Sequence, residues 1–147
     1  MTALKTGFLS VLAVALTIAA SQAAEESDKY QSLLTPLLQT GTDVVDRAIA
    51  YPSGTPKVTS AIVVIPSGEE TGWHTHEVPL YVHVLDGTVT VDYGSKGTKA
   101  YEAGETFMEA MDWPHNGMNK GTVPVRILVV YMGSESKTNT ATAPGPQ

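Results

Sequence analysis

Cysteine is absent from all 147 residues. Its absence excludes a disulfide framework, thiolate-held metal sites and a cysteine nucleophile, and leaves histidine and carboxylate as the side chains able to hold a metal. Basic residues are also few: nine Lys and Arg stand against fifteen Asp and Glu, a formal net charge of −6. They form no basic run, so the electrostatic footprint that a phosphate backbone requires is missing and nucleic acid is set aside as a partner. No internal repeat of the solenoid kind is present. Histidine is sparse as well, with four in the chain, and all four fall in two glycine-led segments, residues 68–87 and 104–119, among them His74, His76 and His115.

The length fits one domain with a single core. Thirteen glycines and nine prolines are scattered along it, which suits a β-rich globule with many turns. Residues 1–23 have the three parts of an export signal: Lys5 near the start, an apolar run from Phe8 to Ala20, and Ser21-Gln22-Ala23 as a small-x-small cleavage site. The run is shorter than the ~20 residues that span a bilayer. Cleavage after Ala23 is expected, with a mature chain from Ala24, a periplasmic or secreted location and no membrane attachment. No cysteine follows the run to carry a lipid.

Residues 24–41 read as a helical segment. Ser27 or Asp28 would cap a helix over Glu25 to Gln39, Leu33, Leu34, Leu37 and Leu38 would form its apolar stripe, and Pro36 limits it. From residue 42 to 133 the period changes to two. Strands are expected at Val44 to Ala50, Val58 to Ile65, Thr71 to His76, Leu80 to Leu85, Thr88 to Tyr93, Thr98 to Glu102, Thr106 to Ala110 and Val123 to Met132. Asp86-Gly87 and Gly94 to Gly97 supply the turns between them. About eight short strands with no helix among them predict an antiparallel sandwich or barrel. Residues 134–147 are small and polar with no apolar period, and are expected to form a disordered tail.

His74 and His76 stand at i and i+2, so on a strand they face the same side with about 6 to 7 Å of rise between them. His115 arrives on another strand after the Trp113-Pro114 corner. Three imidazoles on rigid strands, with coordination positions left over, are the makings of an open metal site. Glu109 shares parity with Phe107: if that face is inward it is a candidate ligand, hydrogen-bond acceptor or proton carrier for the site, and if outward a surface glutamate. Glu77 is a lesser candidate, because it follows His76 directly and so points the other way. His83 faces the side opposite Leu80 and reads as packing or surface. Trp73, Tyr81, Trp113, Met108, Met111 and Met118 could line a pocket, or fill the core.

These segments resemble the cupins. The first cupin motif is a glycine, five residues, His-x-His, three or four residues, a glutamate, six residues and a glycine, and Gly68, His74, His76 and Gly87 fit it. The second is a glycine, five residues, Pro-x-Gly, two residues, a histidine, three residues and an asparagine, matched by Gly104, His115 and Asn119. Leu80 stands in the glutamate slot, and Ala110 and Asp112 stand where Pro-x-Gly has its proline and glycine. The resemblance implies an all-β fold, an antiparallel jelly-roll β-barrel with a short N-terminal helix. It also implies a divalent transition metal (Fe, Mn, Ni, Cu or Zn) on His74, His76 and His115, and a small-molecule ligand. The activities it points to are wide, with dioxygenase-like oxidation of a small organic acid or enol first among them. A non-catalytic metal- or ligand-binding module is the alternative, and a protein whose histidines hold no ion is a third. A homodimer fits both the family and the exposed edge of a sandwich.

Overall fold

The computed structural model describes residues 29–146. The expected export signal, the first part of the expected helix and Gln147 lie outside the described residues. Two compact units divide after Pro36. In the first, residues 29–31 are helical, and the N–H groups of Leu33 and Leu34 close back on the carbonyls of Tyr30 and Gln31, both at 3.1 Å. The helix expected through Gln39 therefore stops at residue 31. Pro36 lacks the N–H that a further turn needs and disfavours the helical conformation at the residue before it.

The second unit is built of strands: β1 (Pro56–Ile65), β2 (His74–Thr75), β3 (Leu80–Asp86), β4 (Thr88–Asp92), β5 (Thr98–Glu102), β6 (Thr106–Met108), β7 (Asn116–Met118), β8 (Val125–Ser134) and β9 (Ala141–Thr142). One sheet runs β1-β8-β3-β6 and the other β5-β4-β7, with β2 paired to β9. Thr71 donates its N–H to the Gly117 carbonyl at 2.8 Å, and Glu70 bridges to Met118. These bonds extend the second sheet from β7 onto the 70–76 segment and so to β9. The strand pairings are antiparallel, and the architecture is the all-β jelly roll the sequence implies.

Alternation decides what lies between the sheets. Along β3, Leu80, Val82 and Val84 are buried while Tyr81, His83 and Leu85 face outward, as the period of two requires. Val89 and Val91 of β4, Phe107 of β6 and Val125 and Val129 of β8 meet them in the core. Gly87 takes φ 78° in the β3–β4 hairpin, where a Cβ would lie 3.0 Å from the Val125 side chain, so both conformation and space require glycine. Among the described residues, no helix is long and apolar enough to cross a membrane.

Two segments depart from the sequence reading. The strand expected at Val44 to Ala50 is a tight loop. The Asp43 carboxylate accepts the N–H groups of Val45 and Arg47, both at 2.9 Å, with one oxygen and that of Met111 at 3.1 Å with the other. An aspartate that captures nearby backbone donors competes with strand pairing and wins here. The tail expected to be disordered instead packs against the barrel. Glu135 donates to the Thr55 carbonyl and Ala143 to that of Trp73, each at 3.0 Å, and β9 pairs with β2. Gly145 lies so close to the Trp73 indole that a Cβ would sit 3.0 Å from Nε1. Backbone pairing and glycine contact hold this segment, neither of which needs an apolar period.

Candidate metal centre

His74 and His115 exchange both backbone hydrogen bonds at 3.0 Å. They are thus a directly opposed antiparallel pair, and such residues project their side chains to the same face about 5.5 Å apart at Cα. His76 is two positions on and faces the same way, while its carbonyl accepts the Asp112 N–H at 2.8 Å. Strand pairing therefore brings the three imidazoles together. Ring centroids lie 4.4 Å apart for His74 and His115, 4.9 Å for His74 and His76, and 5.0 Å for His76 and His115. One nitrogen from each ring falls within 4.8 Å of the others.

The other nitrogens fix which atoms face inward. Nδ1 of His74 is 2.7 Å from the Gly72 carbonyl, that of His76 is 2.8 Å from the Asn139 carbonyl, and that of His115 is 2.8 Å from the Trp113 carbonyl. A carbonyl only accepts, so each Nδ1 carries the proton and each Nε2 presents a lone pair to the shared space. This is how imidazole ligands of a metal are oriented. His115 Nε2 is buried and has no hydrogen-bond partner, an uncompensated lone pair that an ion would satisfy. Burial lowers the pKa of all three rings from the ordinary 6.5, that of His76 to about 3. They are neutral near neutral pH, the form that binds metal. The donor set thus fits a divalent transition ion, the soft-to-borderline class that imidazole suits.

The site borders a cavity of about 60 Å³ whose other walls are mostly aliphatic, among them Ile65, Leu80, Val82, Val89 and Val129. Glu109 lines it too and is 6% exposed, so the inward face of its segment is settled. Burial raises its pKa to about 7, against the pull of the Ala110 N–H, which donates to Oε1 at 2.8 Å. Its Oε2 lies 3.8 Å from His115 Nε2. Leu80, in the family's glutamate slot, is an apolar wall of the cavity.

The remaining candidates sort plainly. Glu77 turns away to the tail, its Oε2 3.6 Å from Lys137 Nζ and 3.4 Å from the Thr138 nitrogen, so it holds the tail and does not itself touch the histidines. His83 points to the outer face of β3. None of Trp73, Tyr81, Trp113, Met108, Met111 or Met118 lines the cavity. Trp73 instead borders the opening beside His74, and Trp73 and Trp113 flank a separate depression with Pro144 and Pro146. Three residues near the site escape the sequence reading. Asn139 lies in a segment without periodic signal. Tyr93 continues the inward parity of Val89 and Val91, and Tyr101 pairs with Val89 across the strands, so alternation could have found both. The mouth, bordered by Val63, Thr71, Tyr131 and Thr140, opens on His74.

Residues 61–131 match the family model of the cupin domain. This segment is a cupin domain. No curated protein matches the chain. Solved structures similar to it include the Lactobacillus farciminis oxalate decarboxylase in complex with formate, at TM-score 0.51 and 21% identity over 58% of this chain and 26% of that one. A sugar phosphate isomerase of the cupin superfamily from Silicibacter pomeroyi follows at 0.51 and 18%, over 60% and 57%. A conserved protein with a double-stranded β-helix domain from Klebsiella pneumoniae subsp. pneumoniae gives 0.52 and 18%, over 73% of this chain and 100% of that one. The chain thus spans between a quarter and three fifths of the two enzymes, and at these identities the likeness is one of fold. Within the cupin frame Asp112 occupies the glycine slot of the second motif, and its φ of 47° is the left-handed conformation a glycine would supply, which aspartate tolerates better than most residues. That substitution leaves the His115 turn intact.

Proposed function

We propose that this cupin is an exported metal-binding protein whose ion, held by His74, His76 and His115, makes it a dioxygenase-like enzyme acting on a small organic acid or enol. The observation that carries the reading is the set of three Nε2 lone pairs turned to one buried point, each fixed by a carbonyl on its Nδ1. When bound, the ion would supply Lewis-acid polarisation or activation of an oxygen ligand.

Three neutral imidazoles would leave the ion its full charge, which favours an oxygen-rich, anionic ligand. Among the described residues, no Lys or Arg lines the cavity or its mouth, so a carboxylate arriving there has no cationic side chain to meet and must satisfy its charge at the centre itself. The aliphatic walls exclude bulk water and strengthen that attraction. Tyr131, whose ring lies 5.6 Å from that of His76, and Thr71 border the route inward and bring hydroxyls to it. Oxygen consumption by metal-loaded protein against a panel of small acids, compared with His76→Ala, tests the enzymatic reading. Metal binding with no consumption across the panel would favour the non-catalytic module.

Export is part of the same proposal and rests on residues 1–23. Intact mass of the protein recovered from the periplasm or medium should give a chain beginning at Ala24. A homodimer is also proposed: β1 is an edge strand of its sheet and leaves Val58, Ile62 and Val64 exposed. Light scattering on the purified chain decides it, a monomer mass ruling the dimer out.

A further inference from the structure

The family's carboxylate ligand has no counterpart at position 80, where this chain has leucine, yet a buried carboxylate lies one strand away. Glu109 donates its backbone N–H to the Leu80 carbonyl at 2.8 Å. The two residues are cross-strand neighbours, and moving a side chain from one to the other shifts it by about one interstrand spacing, ~4.8 Å. Both face the cavity that the histidines border. Resting on the metal reading above, we propose that Glu109 is the fourth protein ligand, so that the centre is three histidines and one glutamate with the carboxylate delivered from the end of β6 instead of from β3.

Three observations carry this. The first is electronic. With its proton on Nδ1, His115 turns a lone pair at Nε2 toward Glu109 Oε2, 3.8 Å away, and that nitrogen is buried without a partner. The separation is too long for a hydrogen bond from a protonated carboxyl, and a cation between two electron-pair donors that face one another turns their repulsion into attraction. Ligand atoms at ~2.1 Å from one ion in adjacent positions are roughly 3.0–3.4 Å apart, so the His115–Glu109 separation closes to that range with a shift of about half an ångström, and a turn of the Glu109 side chain brings Oε2 toward the other two histidines. The second is division of labour within the carboxyl group: Oε1 is engaged by the Ala110 N–H at 2.8 Å, which steadies the group and leaves Oε2 for the centre. The third is the far side of the carboxyl. The Tyr93 and Tyr101 hydroxyls are buried without a hydrogen-bond partner, and Tyr93 neighbours Glu109, so its hydroxyl can turn a donor toward the carboxylate.

The proposal alters the charge of the centre from +2 to +1 while leaving room for oxygen ligands. It is tested with Co(II) added to the untagged mature chain, reading affinity by chelator competition and the coordination sphere by the visible d–d spectrum. The variants are Glu109→Gln, which keeps shape and polarity, and Glu109→Gln with Leu80→Glu, which returns the carboxylate to the family slot. The expected result is a loss of Co(II) affinity greater than ~100-fold in Glu109→Gln with an altered spectrum, beyond the ~10–100-fold typical of a residue that only hydrogen-bonds to a ligand. The double variant should recover most of the affinity. Affinity and spectrum both unchanged in Glu109→Gln would overturn ligation, as would a loss within the smaller range with an unchanged spectrum. If Leu80→Glu does not fold, the Glu109→Gln spectrum decides alone. A wild-type chain that takes up no Co(II) refutes the metal reading as a whole, whereas a wild-type chain that binds and a variant that binds alike refute only the role of Glu109.

Discussion

His76 and Asn139, 63 positions apart, are joined by a 2.8 Å hydrogen bond from the imidazole Nδ1 to the backbone carbonyl. The Thr140 hydroxyl lies 3.2 Å from the same nitrogen. The C-terminal segment is thus part of the histidine site, since it holds one of the three rings in the orientation that turns Nε2 inward.

Truncation after Lys137 should therefore lower metal affinity by ~10–100-fold, the usual cost of removing a partner that orients a ligand. The core residues lie between Val45 and Val129, so the far-UV spectrum should stay that of a folded barrel. Asn139→Ala keeps the carbonyl and should bind metal like the wild type. Equal affinity in the truncated and full chains would show that the segment does not orient His76.

His74→Ala or His115→Ala should remove most of the metal affinity and leave the fold. The ligating nitrogens face a cavity while the valines of β3, β4 and β8 carry the core, and the barrel does not depend on the ion. Chelator competition and thermal unfolding of the metal-free variants check both halves. Loss of β structure in either variant would contradict this division between core and site.

The turn that delivers His115 should be sensitive at Asp43. Its carboxylate is buried and accepts three backbone N–H groups, one from Met111 across the fold. Asp43→Ala should cost ~2–4 kcal/mol, since all three donors lose their partner, read as a fall in denaturation midpoint. At Asp112 the backbone is left-handed. Asp112→Gly should stay within ~1 kcal/mol of wild type and Asp112→Val should destabilise by ~1–3 kcal/mol.

How much of this is legible in the residues depends on what holds each part. The i, i+2 spacing of His74 and His76, and the arrival of His115 on another strand, follow from strand geometry and from the glycine-bounded motifs, and the structure pairs His74 with His115 as that reading needs. The inward turn of Glu109 follows from its parity with Phe107. The short β7, Asn-Gly-Met, offers no β-branched residue to signal a strand, and its pairing with β4 is set by tertiary context. The loop at residues 43–47 has a strand's alternation, yet the Asp43 carboxylate overrides it. The C-terminal segment is held through backbone groups and a glycine against Trp73, and hydropathy patterns carry no trace of such contacts.

Stability of the metal-free protein should depend on pH in two opposed ways. His76 titrates at 6.5 unfolded and about 3 folded, so its contribution is complete above 6.5 and is lost as pH falls toward 3. His74 and His115 act in the same direction. Glu109, raised from 4.5 to about 7, contributes fully below 4.5 and loses that contribution as pH rises through 7. Denaturation midpoints taken with a chelator between pH 4 and 8 should show a shallower acid-side loss in His76→Gln and no alkaline-side loss from this group in Glu109→Gln. Profiles that superimpose on wild type would contradict the burial of these groups.

That three imidazoles share one ion is tested at its root by elemental analysis of untagged protein after incubation with divalent transition metals and desalting. About one ion per chain is expected in the wild type, and far less in His115→Ala. A wild-type content near zero, or an equal content in the variant, would contradict a shared ion.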